Sequence, residues 1–166
     1  SEAVDFLVRR AEREIEALES RGERAYLTRL LAISFSDASD DVATLLAEYA
    51  GALEEARRLP EADTVIGLGC SLAPERAELW LRAGRIARLG GDRERALDLY
   101  ARARDADRGT GAIARLAAVG EAVVGPTPDQ SVSRVIRQSV IAGDHEAAAV
   151  GLEERGRLRR AGGDRR

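Results

Sequence analysis

A pair of packed helices is indicated most clearly by residues 77–107, AELWLRAGRIARLGGDRERALDLYARARDAD. The glycine pair at 90–91 predicts a turn in the middle, and Asp92 predicts the N-cap of the second helix. Gly84 is small enough to let the two helices approach closely, while the Tyr100 side chain fills the space beside it. The stretch therefore predicts a helix-turn-helix unit.

The same alternation of small and large residues recurs one unit earlier, from Ala43 to Arg76, at an interval of about 34 residues. The matched positions, earlier copy first, are Leu46 and Trp80, Ala50 and Gly84, Ala62 and Ala96, Ile66 and Tyr100, and Gly69 and Ala103, with Pro74 closing the earlier copy. A fainter copy begins at Val8, one residue out of phase. In the same region, stripes of apolar residues predict helices over 4–18 and 26–35. The chain therefore contains a repeat.

The spacing of Trp80, Gly84, Ala96 and Tyr100 resembles the tetratricopeptide repeat (TPR), with its pattern W-x2-L-G-x2-Y, A-x3-F and a proline. The resemblance implies an all-α fold, a right-handed α-solenoid of antiparallel helix pairs with about seven helices. It also implies a single domain over 1–160, followed by a flexible basic tail at 161–166. Its repeats are approximately 8–42, 43–76 and 77–110, with a degenerate repeat at 111–160.

After residue 110 the regular interval is lost. The run Gly143-Asp144-His145-Glu146 echoes Gly91-Asp92-Arg93-Glu94, but the two lie 52 residues apart. We therefore expect one extra helix, from Gly111 to Val124, followed by a turn at 125–128 where two prolines interrupt the helix. The helix after the echo is then the second of its pair, and we expect the chain to fray after Leu158 and its last helix to act as a polar cap.

Individual residues mark the other helix boundaries. Asp40 or Asp41 is expected to cap the helix that follows them. Pro60 fits the first turn of the next helix, where proline loses no hydrogen bond. Gly67 and Gly69 lie inside that helix and cost about 1 kcal/mol each relative to alanine. We expect close packing against a neighbouring helix to compensate for them.

Composition limits the class of protein. All 26 basic residues are arginine, and lysine, asparagine and methionine do not occur, which indicates a GC-rich bacterial genome. Arginine is therefore not evidence of selection for phosphate or carboxylate binding. The net charge of −3 implies no nucleic-acid partner by itself. Charge is nevertheless uneven, with nine acids and three arginines in 37–76 but six acids and eight arginines in 77–110.

Compartment is predicted from the cysteine content and from hydropathy. The single Cys70 excludes an internal disulfide and predicts a small apolar packing residue. The sequence contains no run of 18 apolar residues, so we predict no insertion into a membrane. Glu2 and Asp5 stand where a secretion signal carries basic residues. These features predict a cytoplasmic protein.

Candidate catalytic and cofactor residues are few, and each has a structural explanation. His145 follows a turn and is expected to be an exposed first-turn residue. Asp37, Asp40 and Asp41 lack the glycine and distal glutamate of a calcium loop. The run from Gly109 to Ala114 fits G-x-G-x-x-A but follows a helix, whereas the dinucleotide fingerprint follows a strand. We predict no catalytic residue, no metal site and no cofactor.

The TPR resemblance implies a binding groove lined by the first helix of each repeat. On the best repeat these residues are Leu81, Arg82, Arg85, Arg88 and Leu89, with Arg115 nearby on the next helix. On the preceding repeat they include Glu48, Glu54 and Glu55. The predicted groove is acidic on one side and basic on the other, which suits a partner segment with both signs of charge, or an acidic motif held by the arginines.

The favoured hypothesis is a non-catalytic scaffold or adaptor that docks a peptide or subunit of a larger bacterial assembly in this groove. The alternative is a sensing or oligomerising repeat segment of a larger transcription regulator or signalling protein, and a homo-oligomer is compatible with either. Nucleic-acid binding ranks last, because Trp80 and Tyr100 occupy core positions and leave no platform on which bases could stack.

Overall fold

The computed structural model describes residues 39–108 and 111–163. These residues form seven α-helices and contain no β-strand, so the described chain is all-α as predicted. The helices are α1 (Ser39–Glu55), α2 (Leu59–Leu72), α3 (Ala77–Leu89), α4 (Arg93–Ala106), α5 (Ala112–Val124), α6 (Pro128–Ile141) and α7 (His145–Gly163). The helices predicted over 4–18 and 26–35 lie outside the described residues. None of the described helices is both long enough and apolar enough to span a bilayer.

The chain divides into two compact units, Ser1–Pro74 and Glu75–Arg166. In the described part of the first unit, α1 packs against α2 as a helical hairpin. The buried side chains at the centre of this hairpin are Leu45, Leu46, Tyr49 and Leu53 from α1 and Ala62, Val65, Ile66 and Cys70 from α2. Cys70 is a buried thiol, as predicted.

Boundary predictions in the first unit are confirmed in part. Pro60 lies in the first turn of α2. Asp40 and Asp41 already lie inside α1, so the prediction that one of them is the N-cap is wrong. Gly69 is buried, but a Cβ added at Gly67 would meet no atom of the described residues within 4 Å, so among these residues the predicted close packing is not found at Gly67.

The second unit contains α3 to α7, and α5 is its central helix. Each helix packs against the next in the chain, and α5 additionally contacts both α3 and α7. The helices α3, α5 and α7 therefore form a row, with α5 in the middle. Within the described chain the backbones of the two outer members are not in close contact with each other.

Tyr100 of α4 fills the space between α3 and α5. Its ring lies against Gly84 on α3, where an added Cβ would come within 2.7 Å of the ring atom Cδ1. The other contact is Gly120 on α5, where an added Cβ would also collide with the ring. Tyr100 is thus buried between two helices that approach closely because each carries a glycine at the contact.

The second large aromatic residue of the repeat is less enclosed than predicted. Trp80 is half-buried rather than a core residue. The Arg102 guanidinium lies over the indole, with its central carbon 5.2 Å from the ring centroid. This cation–π contact covers the ring face, so Trp80 contributes to packing through a charged neighbour.

Two turns in this unit have the same chemistry, as the echoed sequence predicts. Gly91 and Gly143 both have positive φ, at 84° and 71°. The aspartate after each glycine then caps a helix: Asp92 accepts a hydrogen bond from the Arg95 amide, and Asp144 accepts one from the Ala147 amide. The left-handed glycine ends one helix and the aspartate begins the next.

The prediction for the end of the chain is confirmed in part. The predicted helix and turn at 111–128 are confirmed, since α5 ends at Val124 and Pro128 begins α6. In addition, α7 packs against both α6 and α5, and its contact with α5 places it in the row, which the sequence did not predict. It also continues to Gly163, beyond Leu158 where fraying was expected.

Candidate docking groove

A cavity of about 380 Å³ lies along the row of α3, α5 and α7 in the second unit. We call this cavity the groove. Its lining residues are Leu81, Arg85 and Arg88 of α3, Tyr100 of α4, Leu116, Val119, Gly120 and Val123 of α5, and Glu146, Val150, Glu153, Glu154 and Arg157 of α7. Because α5 is the middle helix, its residues form the base, and α3 and α7 form the two walls.

The base and the walls of the groove differ in chemistry. Every residue that α5 contributes is apolar or glycine. The charged residues on the α3 wall are arginines, Arg85 and Arg88, whereas the α7 wall carries three glutamates and Arg157. The groove therefore offers an apolar base between a positive wall and a predominantly negative one, a combination typical of sites that bind an amphipathic segment.

An ion cluster crosses the groove from one wall to the other. Arg88 Nη2 donates to Glu154 Oε1 at 3.1 Å, and Arg157 Nη1 donates to the same oxygen at 3.2 Å. Arg157 Nη2 also donates to Glu153 Oε1 at 2.5 Å. The side chains of Arg88 and Glu154 are only 20% and 11% exposed, so removing either one would leave the other as an uncompensated, largely buried charge.

The environment of Arg88 keeps it charged. Burial is the largest single influence and acts to lower the pKa of Arg88, but the hydrogen bond and charge of Glu154 together with the Tyr100 phenol outweigh it and hold the pKa above the ordinary value. The Tyr100 hydroxyl interacts with the same guanidinium, and burial raises the pKa of Tyr100. Arg88 is therefore a permanent cation against a neutral phenol.

Arg88 also has an unused hydrogen-bond donor. Its Nε is buried and has no hydrogen-bond partner within the described structure. An arginine presents Nε–H and one Nη2–H side by side, a pair that matches the two oxygens of a carboxylate. Glu154 occupies only one of these two donors.

A second cavity of about 470 Å³ continues beyond the ion cluster. Its lining includes Leu89, Gly91 and Arg93, together with four residues that it shares with the groove: Arg88, Val123, Glu154 and Arg157. The shared residues are those of the ion cluster and the part of α5 beneath it. The cluster is therefore the common wall of the two cavities.

The structure brings together part of the predicted groove of α3. Leu81, Arg85 and Arg88 line the groove, and Leu89 lines the second cavity. Arg82 is half-buried on α3 and lines neither of these cavities. Arg115, expected close by, instead donates from Nε to Asp144 Oδ2 at 2.5 Å at the start of α7.

The predicted acidic residues belong to the first unit. Glu48 and Glu55 are exposed on α1, and Glu54 is buried, with 8% of its surface exposed. Burial of Glu54 does not suit the surface position assigned to it. An acidic wall exists within the second unit, but different residues on α7 form it.

Sequence reasoning missed the contribution of α7, although its sequence carried a signal. Glu146, Val150, Glu153 and Arg157 recur at steps of three and four residues, so they share one helix face. That face was interpreted as part of a charged cap because the residues are mostly polar. The base residues of α5 were missed for the opposite reason, since α5 is apolar on several sides.

Among the described residues, those considered for catalysis or metal binding are not assembled into a site, and Asp37 lies outside the described residues. His145 is exposed at the first position of α7. Within the described residues, no three metal-binding side chains cluster. Asp107 Oδ2 accepts a hydrogen bond from the Ala114 amide at 2.8 Å, so a side chain of the protein already occupies the helix start where the G-x-G-x-x-A run ends.

The sequence matches no protein-family model, and no curated protein or solved structure is significantly similar to it.

Proposed function

We propose that this chain is a non-catalytic TPR-like docking scaffold that binds a peptide or a subunit of a larger bacterial assembly in its groove. The proposal includes the right-handed solenoid that the repeat implies, with α3, α5 and α7 as the first helices of successive pairs. It is supported by the row that these helices form and by the repeat of small and large residues in the sequence.

One observation carries the proposal: the groove has an apolar base of Leu116, Val119 and Val123 between oppositely charged walls. Apolar residues at the base provide the burial that drives association. Charged residues at the walls fix the orientation of a partner and exclude segments of the wrong charge pattern. A volume of about 380 Å³ accommodates a few side chains of a partner rather than a whole helix.

A charge-reversed groove variant tests the proposal. Arg85→Glu with Val150→Glu alters both walls, and the control Arg134→Glu with Gln138→Glu places the same two acidic side chains at exposed positions on α6. Parent, groove variant and control are used as baits in lysate of the source organism, after circular dichroism has shown that all three are folded.

We expect a protein that the parent and the control both retain and the groove variant loses. Reintroducing that purified protein should give amide hydrogen-exchange protection on α3 and α7. The proposal is wrong if the groove variant retains the same proteins as the parent, or if only the α6 control loses them.

A second candidate function is self-association, and exposed apolar residues favour it. Val140 and Ile141 at the end of α6 are 57% and 80% exposed, and Leu152 on α7 is 48% exposed. Large apolar side chains on a surface mark contact sites when they are contiguous. Sedimentation velocity of the parent and of Ile141→Glu tests this function, which predicts a larger species that the substitution dissociates.

A further inference from the structure

Glu154 satisfies only part of the hydrogen-bonding capacity of the Arg88 guanidinium. One Glu154 oxygen accepts from Arg88 Nη2, and the neighbouring Nε remains buried without a hydrogen-bond partner in the described structure. A buried donor left without a partner destabilises the folded state, because it has lost its hydrogen bond to water and gained none. A carboxylate that engaged both donors of Arg88 would recover that loss.

Glu154 has a second partner that does not depend on Arg88. Arg157 donates to the same oxygen at 3.2 Å, one helical turn along α7. If Glu154 released Arg88, its charge would still be paired by Arg157. Releasing Arg88 therefore leaves no isolated carboxylate in the groove.

The charges of the groove favour a single negative charge as the replacement. Three arginines and three glutamates line it, so their formal charges cancel. A monoanion that displaces Glu154 from Arg88 meets one arginine fork, leaves the pairs of Arg157 in place and brings the formal charge of the lining only to −1. A dianion such as a phosphate monoester would bring an extra charge toward Glu146 and Glu153 on the opposite wall.

We propose that Arg88 is the anchor of the groove, that its natural ligand is an aspartate or glutamate side chain within an apolar partner segment, and that Glu154 is an internal competitor for that position. The inference rests on the proposed docking function and specifies its chemistry. Neighbouring apolar side chains of the segment contact Leu81, Leu116 and Val150 on the three helices. The Arg88–Glu154 ion pair thus acts as an autoinhibitory contact that the partner's carboxylate replaces.

The probe is a fluorescein-labelled decapeptide of alternating leucine and serine with one central glutamate and an amidated C-terminus. A second peptide has glutamine in place of glutamate. A third has the glutamine and a free C-terminal carboxylate. Fluorescence anisotropy gives the Kd of each peptide for the parent, Glu154→Gln, Glu154→Ala, Arg88→Gln and the control Asp129→Asn, after circular dichroism has confirmed that each is folded. Asp129 pairs with Arg159 outside the groove, so the control also removes an ion pair between α7 and another helix.

We expect the glutamate peptide to bind both Glu154 variants about tenfold more tightly than the parent, because in the parent it must first displace a charged competitor from Arg88. Arg88→Gln should bind the glutamate and glutamine peptides equally, and Asp129→Asn should behave as the parent does. Equal affinity of the glutamate peptide for the parent and both Glu154 variants overturns the inference. Tighter binding of the peptide with the free C-terminal carboxylate than of the glutamate peptide overturns the assignment of the Arg88 ligand to a side chain.

Failure of the anchor and failure of the groove give different results. If all peptides bind the parent and Arg85→Glu with Val150→Glu removes this binding, the groove is a docking site. If under the same conditions glutamate has no advantage over glutamine, Arg88 is not its anchor. If no peptide binds any variant, the anchor proposal is wrong, and the docking function of the groove is then tested only by the bait experiment in lysate.

Discussion

Tyr100 connects three helices of the second unit through two glycines. Its ring is buried between Gly84 of α3 and Gly120 of α5, and its hydroxyl reaches the guanidinium of Arg88. An aromatic ring enclosed on both faces cannot move aside to accept an added methyl group. The distance between the helices is therefore set by the absence of a side chain at two positions.

Alanine at either glycine should destabilise the fold. A Cβ at position 84 would lie 2.7 Å from Tyr100 Cδ1 and 2.8 Å from Cε1. Overpacking of this kind costs about 1–3 kcal/mol. Urea unfolding followed by circular dichroism should show this loss for Gly84→Ala and for Gly120→Ala.

Gly156→Ala provides the control on α7. An added Cβ there would meet only Arg160 Nη1 at 3.5 Å, which is an ordinary contact. Alanine in a helix interior is favoured over glycine by about 1 kcal/mol. We expect Gly156→Ala to be as stable as the parent or more stable. If Gly84→Ala were equally well tolerated, the close approach at Tyr100 would not exist.

These contacts could be predicted from the sequence only in part. The pairing of Gly84 with Tyr100 follows from the repeat, which places a small residue opposite a large one. Gly120 was missed because the connection between α4 and α5 does not keep the repeat interval. The half-burial of Trp80 was missed because Arg102 covers it, and charged residues contribute apolar and cation–π contacts that binary patterning ignores.

At the scale of elements, the two glycine-aspartate turns determine where helices end and begin. Gly91 has a φ of 84° and its neighbour Gly90 has a φ of −75°. A left-handed residue other than glycine costs about 1–2 kcal/mol. Gly91→Ala should therefore be destabilised by about this amount, whereas Gly90→Ala should match the parent or exceed its stability. Thermal unfolding of the two variants, Gly91→Ala and Gly90→Ala, measures the difference in stability. An equal loss of stability in both variants would contradict the assigned turn.

Asp144 joins two elements and should make their stability depend on pH. Hydrogen bonding to the Ala147 amide and the ion pair with Arg115 hold the pKa of Asp144 below its ordinary value. Because the pKa of Asp144 is lower in the folded state, its ionisation stabilises the fold at pH values above the unfolded-state pKa of about 3.9. This stabilisation is lost as the pH falls through the lower folded-state pKa.

Asp144→Ala should therefore cost about 1 kcal/mol or more at pH 7, as expected for loss of an N-cap. The difference between the variant and the parent should shrink as the pH is lowered toward 2. Asp98→Ala is the control, because its pair with Arg102 is exposed and worth less than about 1 kcal/mol. Urea midpoints at several pH values give both effects. A pH-independent cost at Asp144 would show that its charge is not the cause.

The limits of element prediction are visible at the same turns. Both turns and the helix at 111–124 were predicted correctly, because glycine, aspartate and proline act locally. The place of α7 in the row was not predicted. A glycine-aspartate turn serves equally well between the helices of one pair and between successive pairs, so its local chemistry does not reveal which helices it connects.

At the scale of the second unit, the groove depends on three helices that are distant in sequence. The α3 wall was predicted through the TPR resemblance, and Leu81, Arg85 and Arg88 do line the groove. The α7 wall was not predicted, since its residues follow the point where the repeat register was lost. Acidic residues were instead expected from α1, which belongs to the other unit. Tertiary contacts, rather than local pattern, assign the negative wall to α7.

Site-specific photo-crosslinking tests the docking function most directly. A photoreactive phenylalanine derivative is placed at Arg85 in the groove or at the exposed Gln138 on α6, and each protein is irradiated in the source organism. We predict one discrete crosslinked partner from position 85 and none from position 138. A partner captured only from position 138, with none from the groove, would contradict the docking account.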